Sequence, residues 1–387
     1  MASGDRDARD TMTRALKVAV AFGTRPEAIK CAPVVSELRR RSNVALSVVT
    51  TAQHRRLLDQ VLTVFGIVPD VDLGVMEPHQ TLAGLSARVL TAFDGHLASH
   101  APDVLLVQGD TTTAFVCALT AFYRRIPVGH IEAGLRTPTV ADPFPEEANR
   151  RLASIVSTVH FAPTERARRA LLAEGVAADA VYLTGNTVVD ALTEVRSAPA
   201  YRAARPAVVP AAGERLVLVT LHRRESWGEP LAGMCRAIRR VAESHEGVRA
   251  VLPVHLNPEV QGIVRRELEG CTSVALVEPL DYLTFVAQMD ASTFVLTDSG
   301  GVQEEAPSLG KPVLVLRNTT ERPEAVDAGT ARLIGTDPEA IFQAASLLLT
   351  DSAAYARMAH ATSPFGDGRA AGRIADVLEA RFGKAVA

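Results

Sequence analysis

Three acidic residues stand where a parallel sheet would present them to a ligand. Asp110 follows the apolar run VLLVQ in QGDTTT, and Glu132 follows PVGHI in HIEAGLRT. Glu146 opens a segment behind the proline-bearing loop of DPFPEEANR. A carboxylate at a half-buried edge must be paired or functional, because an unpartnered charge there is costly. Such groups suit the removal and delivery of protons. A second set is basic or bare backbone. In FGTRPEAIK, Gly23 permits a tight turn, Pro26 suits a first helical turn, and Arg25 and Lys30 would point into a strand-end crevice. Arg150 closes PEEANR, and His222, Arg223 and Arg224 follow a strand-like run in LHRRE. In TDSGGVQEEAPSLGKP, Ser299, Gly300 and Gly301 would offer backbone amides to a phosphate, with Glu304 and Glu305 placed for ribose hydroxyls. The sum is an acid/base half facing a half that holds a nucleotide diphosphate.

Each motif has a plainer reading. FGTRPEAIK also fits an ordinary strand-to-helix turn, Asp110 or a neighbouring threonine a helix cap, and SGG a simple turn. One acid of Glu146 and Glu147 suits a helix dipole, and Glu147 is expected to matter less than Glu146. His255, in PVHLNP, is more often structural than catalytic. There is no GxGxxG fingerprint and no P-loop. Cys31, Cys117, Cys235 and Cys271 have no metal-ligand spacing and read as buried small hydrophobes of a reducing compartment.

The elements that would position these residues come in two series. Apolar runs 16–22, 45–50, 104–108, 127–131 and 181–185 alternate with helical spacing, the signature of a parallel sheet covered on both faces. SAPAYRAARPAVVPAAGE, 197–214, holds three prolines and reads as a linker. The pattern restarts at 215–221 and continues through 249–254, 273–277, 293–297 and 312–316. The expectation is an α/β protein of two Rossmann-like, doubly wound domains with the site in the cleft between them. Residues 1–15 form a disordered tail, 16–196 the first domain and 215–367 the second. With 387 residues, 47% apolar and 22% charged, the chain has the size and balance for two folded cores. Its net charge of −3 lacks the basic excess of a DNA binder. No apolar run reaches the ~20 residues that cross a bilayer, and MASGDRDARDTMTR has no apolar signal core. A cytoplasmic protein is expected.

In order from Lys17 onward, FGTRPEAIK, TAQHRRLLDQVL, QGDTTT, HIEAGLRT, PEEANR, GNTVVDAL, HRRES, PVHLNP, TDSGGVQEEAPSLGKPVLVLRNTTERPEAV and PFGDG resemble the non-hydrolysing UDP-N-acetylglucosamine 2-epimerases. The resemblance implies the glycosyltransferase-B fold, with the last helix, near 368–387, crossing back to the first domain. It implies reversible epimerisation at carbon 2 of UDP-N-acetylglucosamine, giving UDP-N-acetylmannosamine. UDP is eliminated to leave 2-acetamidoglucal, then re-adds, with no metal or other cofactor. Matching positions give Asp110, Glu132 and Glu146 proton handling, and His222 and Arg25 the departing diphosphate. Ser299, Gly300, Gly301 and Glu305 would hold nucleotide, and Lys30, Arg150 and Arg224 join them as substrate contacts. A homodimer is expected. Gln53, Gln80, Arg223 and His255 match a second UDP-N-acetylglucosamine site that activates many relatives; His79 stands where some regulated members have Arg. Gln108 stands where many members have His, and Leu221 where Gly is common. The alternatives are an epimerase of a UDP-diacetamido uronic acid, a glycosyltransferase on the same fold, a hydrolysing epimerase and a non-catalytic sensor.

Overall fold

The computed structural model describes residues 14–51, 55–77, 80–223 and 226–383. Gln53, His79, Arg224 and most of the expected tail lie outside them. The first half holds β1 (Leu16–Phe22), β2 (Val44–Thr50), β3 (Val71–Asp72), β4 (Val104–Gln108), β5 (Val128–Ile131), β6 (Val159–Ala162) and β7 (Val181–Leu183). They pair in the order β3-β2-β1-β4-β5-β6-β7, and every recorded pairing is parallel. The second half holds β8 (Arg215–Thr220), β9 (Val248–Pro253), β10 (Val274–Val277), β11 (Phe294–Thr297), β12 (Val313–Val315) and β13 (Ala331–Leu333). Their order is β10-β9-β8-β11-β12-β13, again parallel. These are two doubly wound sheets, as the alternating runs imply.

Central strands are apolar because helices cover both faces. In β1 only Lys17 is exposed; Val18, Val20 and Phe22 face one core while Ala19 and Ala21 face another. The final helix, Ala370–Phe382, returns to pack on helices Arg25–Arg40 and Thr187–Ser197, with Ile374 and Leu378 fully buried. Helix Val302–Ser308 of the second half packs on Thr187–Ser197 of the first. Residues 198–214 carry a short helix, Pro199–Ala203, and otherwise irregular chain. All four cysteines are buried and unbonded. No helix among the described residues is long and apolar enough to cross a membrane.

The strand orders locate the crevices. Strand order reverses between β1 and β4 in one sheet and between β8 and β11 in the other. Open sheets bind ligands at the carboxyl ends on either side of such a reversal. The segments leaving those four strands are FGTR, GDTT, LHR and DSGG.

Candidate active site

The turn after β1 is tight. A Cβ on Gly23 would lie 2.2 Å from Thr51 Oγ1 and 2.8 Å from Thr113 Oγ1, so no side chain fits. Thr24 then caps the helix in a reciprocal box with Glu27, leaving Arg25 half-buried on the first turn. After β4, Thr111 caps helix Thr112–Tyr123 by accepting from Ala114 N–H. Asp110 is therefore free of capping duty. Its carboxylate lies 2.6 Å from Arg150 and its carbonyl accepts from Asn149 Nδ2 at 3.0 Å.

Glu132 ends β5 with φ +63, a left-handed conformation that costs a non-glycine residue about 1–3 kcal/mol. Its surroundings hold it there. Lys30 Nζ donates at 2.5 Å, Asn186 Nδ2 at 3.3 Å, and Gln108 Nε2 donates to the other oxygen. Arg322, from the second half, lies 3.5 Å away. Glu304, also from the second half, pairs with Lys30 at 3.0 Å and with Arg322 at 2.8 Å. Two acids and two bases thus alternate across the junction, all nearly or fully buried. Burial alone would raise the Glu132 pKa; the Lys30 and Arg322 charges outweigh it and hold the carboxyl below its ordinary value.

Glu146 opens helix Glu146–Val156 and is half-buried. Burial raises its pKa, and the Asp110 charge adds to the rise, against the pull of Arg223 and Arg150. Glu147 is fully buried. It accepts from Thr137 N–H at 3.0 Å and pairs with Arg150 at 3.2 Å and Arg151 at 2.6 Å. It anchors the arginine that meets Asp110.

In the second half, Asp298 leaves β11 and accepts from the backbone N–H groups of His222 and Arg223 at 2.8 and 2.9 Å. Its other oxygen lies 2.9 Å from His222 Nδ1. Burial pushes Asp298 up, but the His222 contacts win and its pKa falls below the ordinary value. The exposed imidazole is thereby oriented, with Nε2 left for a ligand. Ser299, Gly300 and Gly301 follow directly. A Cβ on Gly300 would lie 3.0 Å from the Arg322 guanidinium, so that cation sits against the glycine turn. Glu305 is buried and accepts from Tyr282 Oη at 2.9 Å; burial raises its pKa to about 7.

Asp110, Glu132, Glu146, Arg25, Lys30 and Arg150 thus gather at one sheet edge, and His222, Ser299, Gly300, Gly301 and Glu305 at the edge of the other sheet. Lys30 is an ion-pair partner at the junction. Of the outer positions, Gln80 bonds within its own segment, to Met76 and Glu77, and to Arg88. His255 lies with its ring 6.5 Å from that of His222. Arg223 is close enough to lower Glu146 electrostatically, and its Nε is buried without a hydrogen-bond partner. Among the described residues no group of three or more His, Cys, Asp or Glu could hold a metal ion. Sequence reasoning missed the parts played by Asp298, Arg322 and Tyr282. Asp298 had a signal, since it ends a buried strand just as Asp110 does; Arg322 and Tyr282 sit in loop or helical segments with none.

Residues 36–379 match the family described as UDP-N-acetylglucosamine 2-epimerase. A probable UDP-N-acetylglucosamine 2-epimerase of Ralstonia nicotianae is 53% identical, covering 95% of this chain and 99% of that protein. The UDP-N-acetylglucosamine 2-epimerase of Bacillus subtilis is 49% identical, covering 95% and 96%. The crystal structure of the Neisseria meningitidis UDP-GlcNAc 2-epimerase bound to UDP-GlcNAc superposes with a TM-score of 0.90 at 45% identity, covering 95% of this chain and all of that one. The two-sheet architecture is accordingly of glycosyltransferase-B type. With the strand-end carboxylates of one half facing the glycine turn of the other, this chain belongs to the UDP-N-acetylglucosamine 2-epimerase family.

Proposed function

We propose that the chain interconverts UDP-N-acetylglucosamine and UDP-N-acetylmannosamine. The diphosphate would rest on the Ser299–Gly301 amides beside His222, with Arg25 near and the ribose at Glu305. The sugar would face Asp110, Glu132 and Glu146. A carboxylate takes the proton from carbon 2 as the bond from carbon 1 to the phosphate oxygen breaks, leaving 2-acetamidoglucal and UDP. UDP then re-adds at carbon 1, and the proton returns to the opposite face of carbon 2. His222 stabilises the charge on departing UDP. The observation that carries this reading is the contrast between two neighbouring carboxyls. Asp110 is tied to Arg150 at 2.6 Å, whereas Glu146 has no such ion pair among the described residues and burial raises its pKa above the ordinary value. Groups whose environments differ in this way can divide acid and base roles. Incubating the protein with UDP-N-acetylglucosamine alone should yield UDP-N-acetylmannosamine. Intact substrate after long incubation, or free sugar with no epimer, would remove the proposal.

A second copy fits the outer face of helices Thr112–Tyr123 and Glu146–Val156, which pack on each other. Phe122, Tyr123, Leu152 and Ile155 are exposed there, an apolar group that a partner would cover. On this reading the chain is a homodimer, and Ile155→Asp should shift sedimentation toward the monomer. A second UDP-N-acetylglucosamine reaching Arg223 and His255 from Gln80 would bridge the halves and favour closure only by its differential affinity for the closed state. Acting on a soluble nucleotide sugar, the enzyme would work in the cytoplasm.

A further inference from the structure

We propose that His130 is a positioning residue that fixes the turn presenting Asp110. The inference rests on the reading of Asp110 as a proton-transfer group.

β4 ends at Gln108, and the chain must turn within three residues to begin the helix at Thr112. Gly109 makes the turn with φ +72. Its N–H donates to the Ile131 carbonyl at 3.0 Å. Its own carbonyl lies 2.7 Å from His130 Nε2. A carbonyl can only accept, so His130 carries its proton on Nε2. The carbonyl of Asp110 is taken by Asn149 at 3.0 Å. The peptide planes before and after the Asp110 Cα are thus each pinned by one side chain. Those two planes define φ and ψ of Asp110, and with them the direction of its Cβ. Arg150 then fixes the carboxylate.

Among the described residues, the bond to Gly109 is the one hydrogen bond shown for the His130 ring. The ring is fully buried and its Nδ1 has no hydrogen-bond partner. An orphaned buried polar atom costs about 1–3 kcal/mol, so an apolar residue would suit the strand better if packing were the only demand. Burial lowers the His130 pKa to about 4, with Arg136 and Arg150 adding to the fall, so the ring stays a neutral donor at neutral pH. Its neighbour in register, His160, is likewise buried and also has an unpartnered Nδ1. No recorded bond ties it to the Asp110 turn, which makes it a matched control.

The test uses the full chain and four variants: His130→Leu, His130→Gln, His160→Leu and Asp110→Asn. A misplacement near 1 Å costs a catalytic group about 10²-fold, so His130→Leu should lower kcat by roughly 10- to 100-fold. KM and the affinity for UDP should hardly move. His130→Gln, whose amide nitrogen is as many bonds from Cα as Nε2, should recover most of the rate. His160→Leu should change thermal stability and leave kcat near the parent value. Should His130→Leu not fold, His130→Asn, one methylene too short for the Gly109 carbonyl, takes its place. Parental kcat in His130→Leu, a Gln variant as slow as the Leu one, or an equal loss in His160→Leu would each overturn the proposal. An unimpaired Asp110→Asn would instead remove the reading on which it rests.

Discussion

At the residue scale, the three carboxylates differ in what holds them, and their variants should differ accordingly. Asp110→Asn and Glu146→Gln keep size and remove proton transfer, and each should lose about 10²–10⁴-fold in kcat with the fold intact. Glu132→Gln should lose activity and stability together. It leaves Lys30 and Arg322 buried with one counter-charge fewer, and breaking a buried pair costs about 3–5 kcal/mol. A thermal scan beside the kinetics checks this; Glu132→Gln unfolding at the parent temperature would contradict the network described here. Residue types at the strand ends were legible because an acid after an apolar run is rare and costly. Their partners were not, since Arg322 and Glu304 reach Glu132 and Lys30 only through the fold. Glu147 shows the limit well: beside Glu146 in sequence, it points inward to the arginines while Glu146 stays half-exposed.

At the scale of elements, long apolar strands such as LKVAVAF and VLLVQ were readable at their observed bounds. β3, with two residues, and β13, with three, are too short to show a period. β6, VHFA, was hidden by His160, a polar residue inside a fully buried strand. That histidine has a measurable consequence. Burial lowers its pKa to about 3 from 6.5, with the His130 and Arg136 charges assisting. The folded state therefore binds this proton more weakly than the unfolded chain. Its contribution to stability is present above pH 6.5 and is lost as pH falls toward 3. Glu305 acts oppositely: its pKa is raised to about 7, so its contribution is present below 4.5 and lost as pH rises through 7. The parent profile mixes both, and the difference between parent and variant isolates one. In urea titrations between pH 6.5 and 5, His160→Gln should flatten the fall on acidification by up to ~1.4 kcal/mol per pH unit. Parallel curves for the two proteins would contradict the assignment.

At the scale of the whole molecule, the two halves meet through alternating charges, Lys30 and Glu132 against Glu304 and Arg322. Tyr282 also packs its ring 6.2 Å from Phe65 of the first half. Arg322→Met removes one of the two cations and should loosen the junction. The scattering radius of gyration should rise, and UDP should restore part of the compaction; an unchanged radius would show that apolar contacts alone close the halves. The two-domain plan was legible from the restart of apolar runs at Arg215 after a proline-bearing stretch. The charge alternation was not, because buried ion pairs leave no periodic trace. In the proposed reaction, carbon 2 of the sugar loses and regains its proton through side chains that exchange with solvent. The most direct test is to run UDP-N-acetylglucosamine to equilibrium in deuterated water and read carbon 2 by NMR. Deuterium should occupy carbon 2 of both epimers, whereas epimer formed with its original hydrogen at carbon 2 would contradict the elimination route.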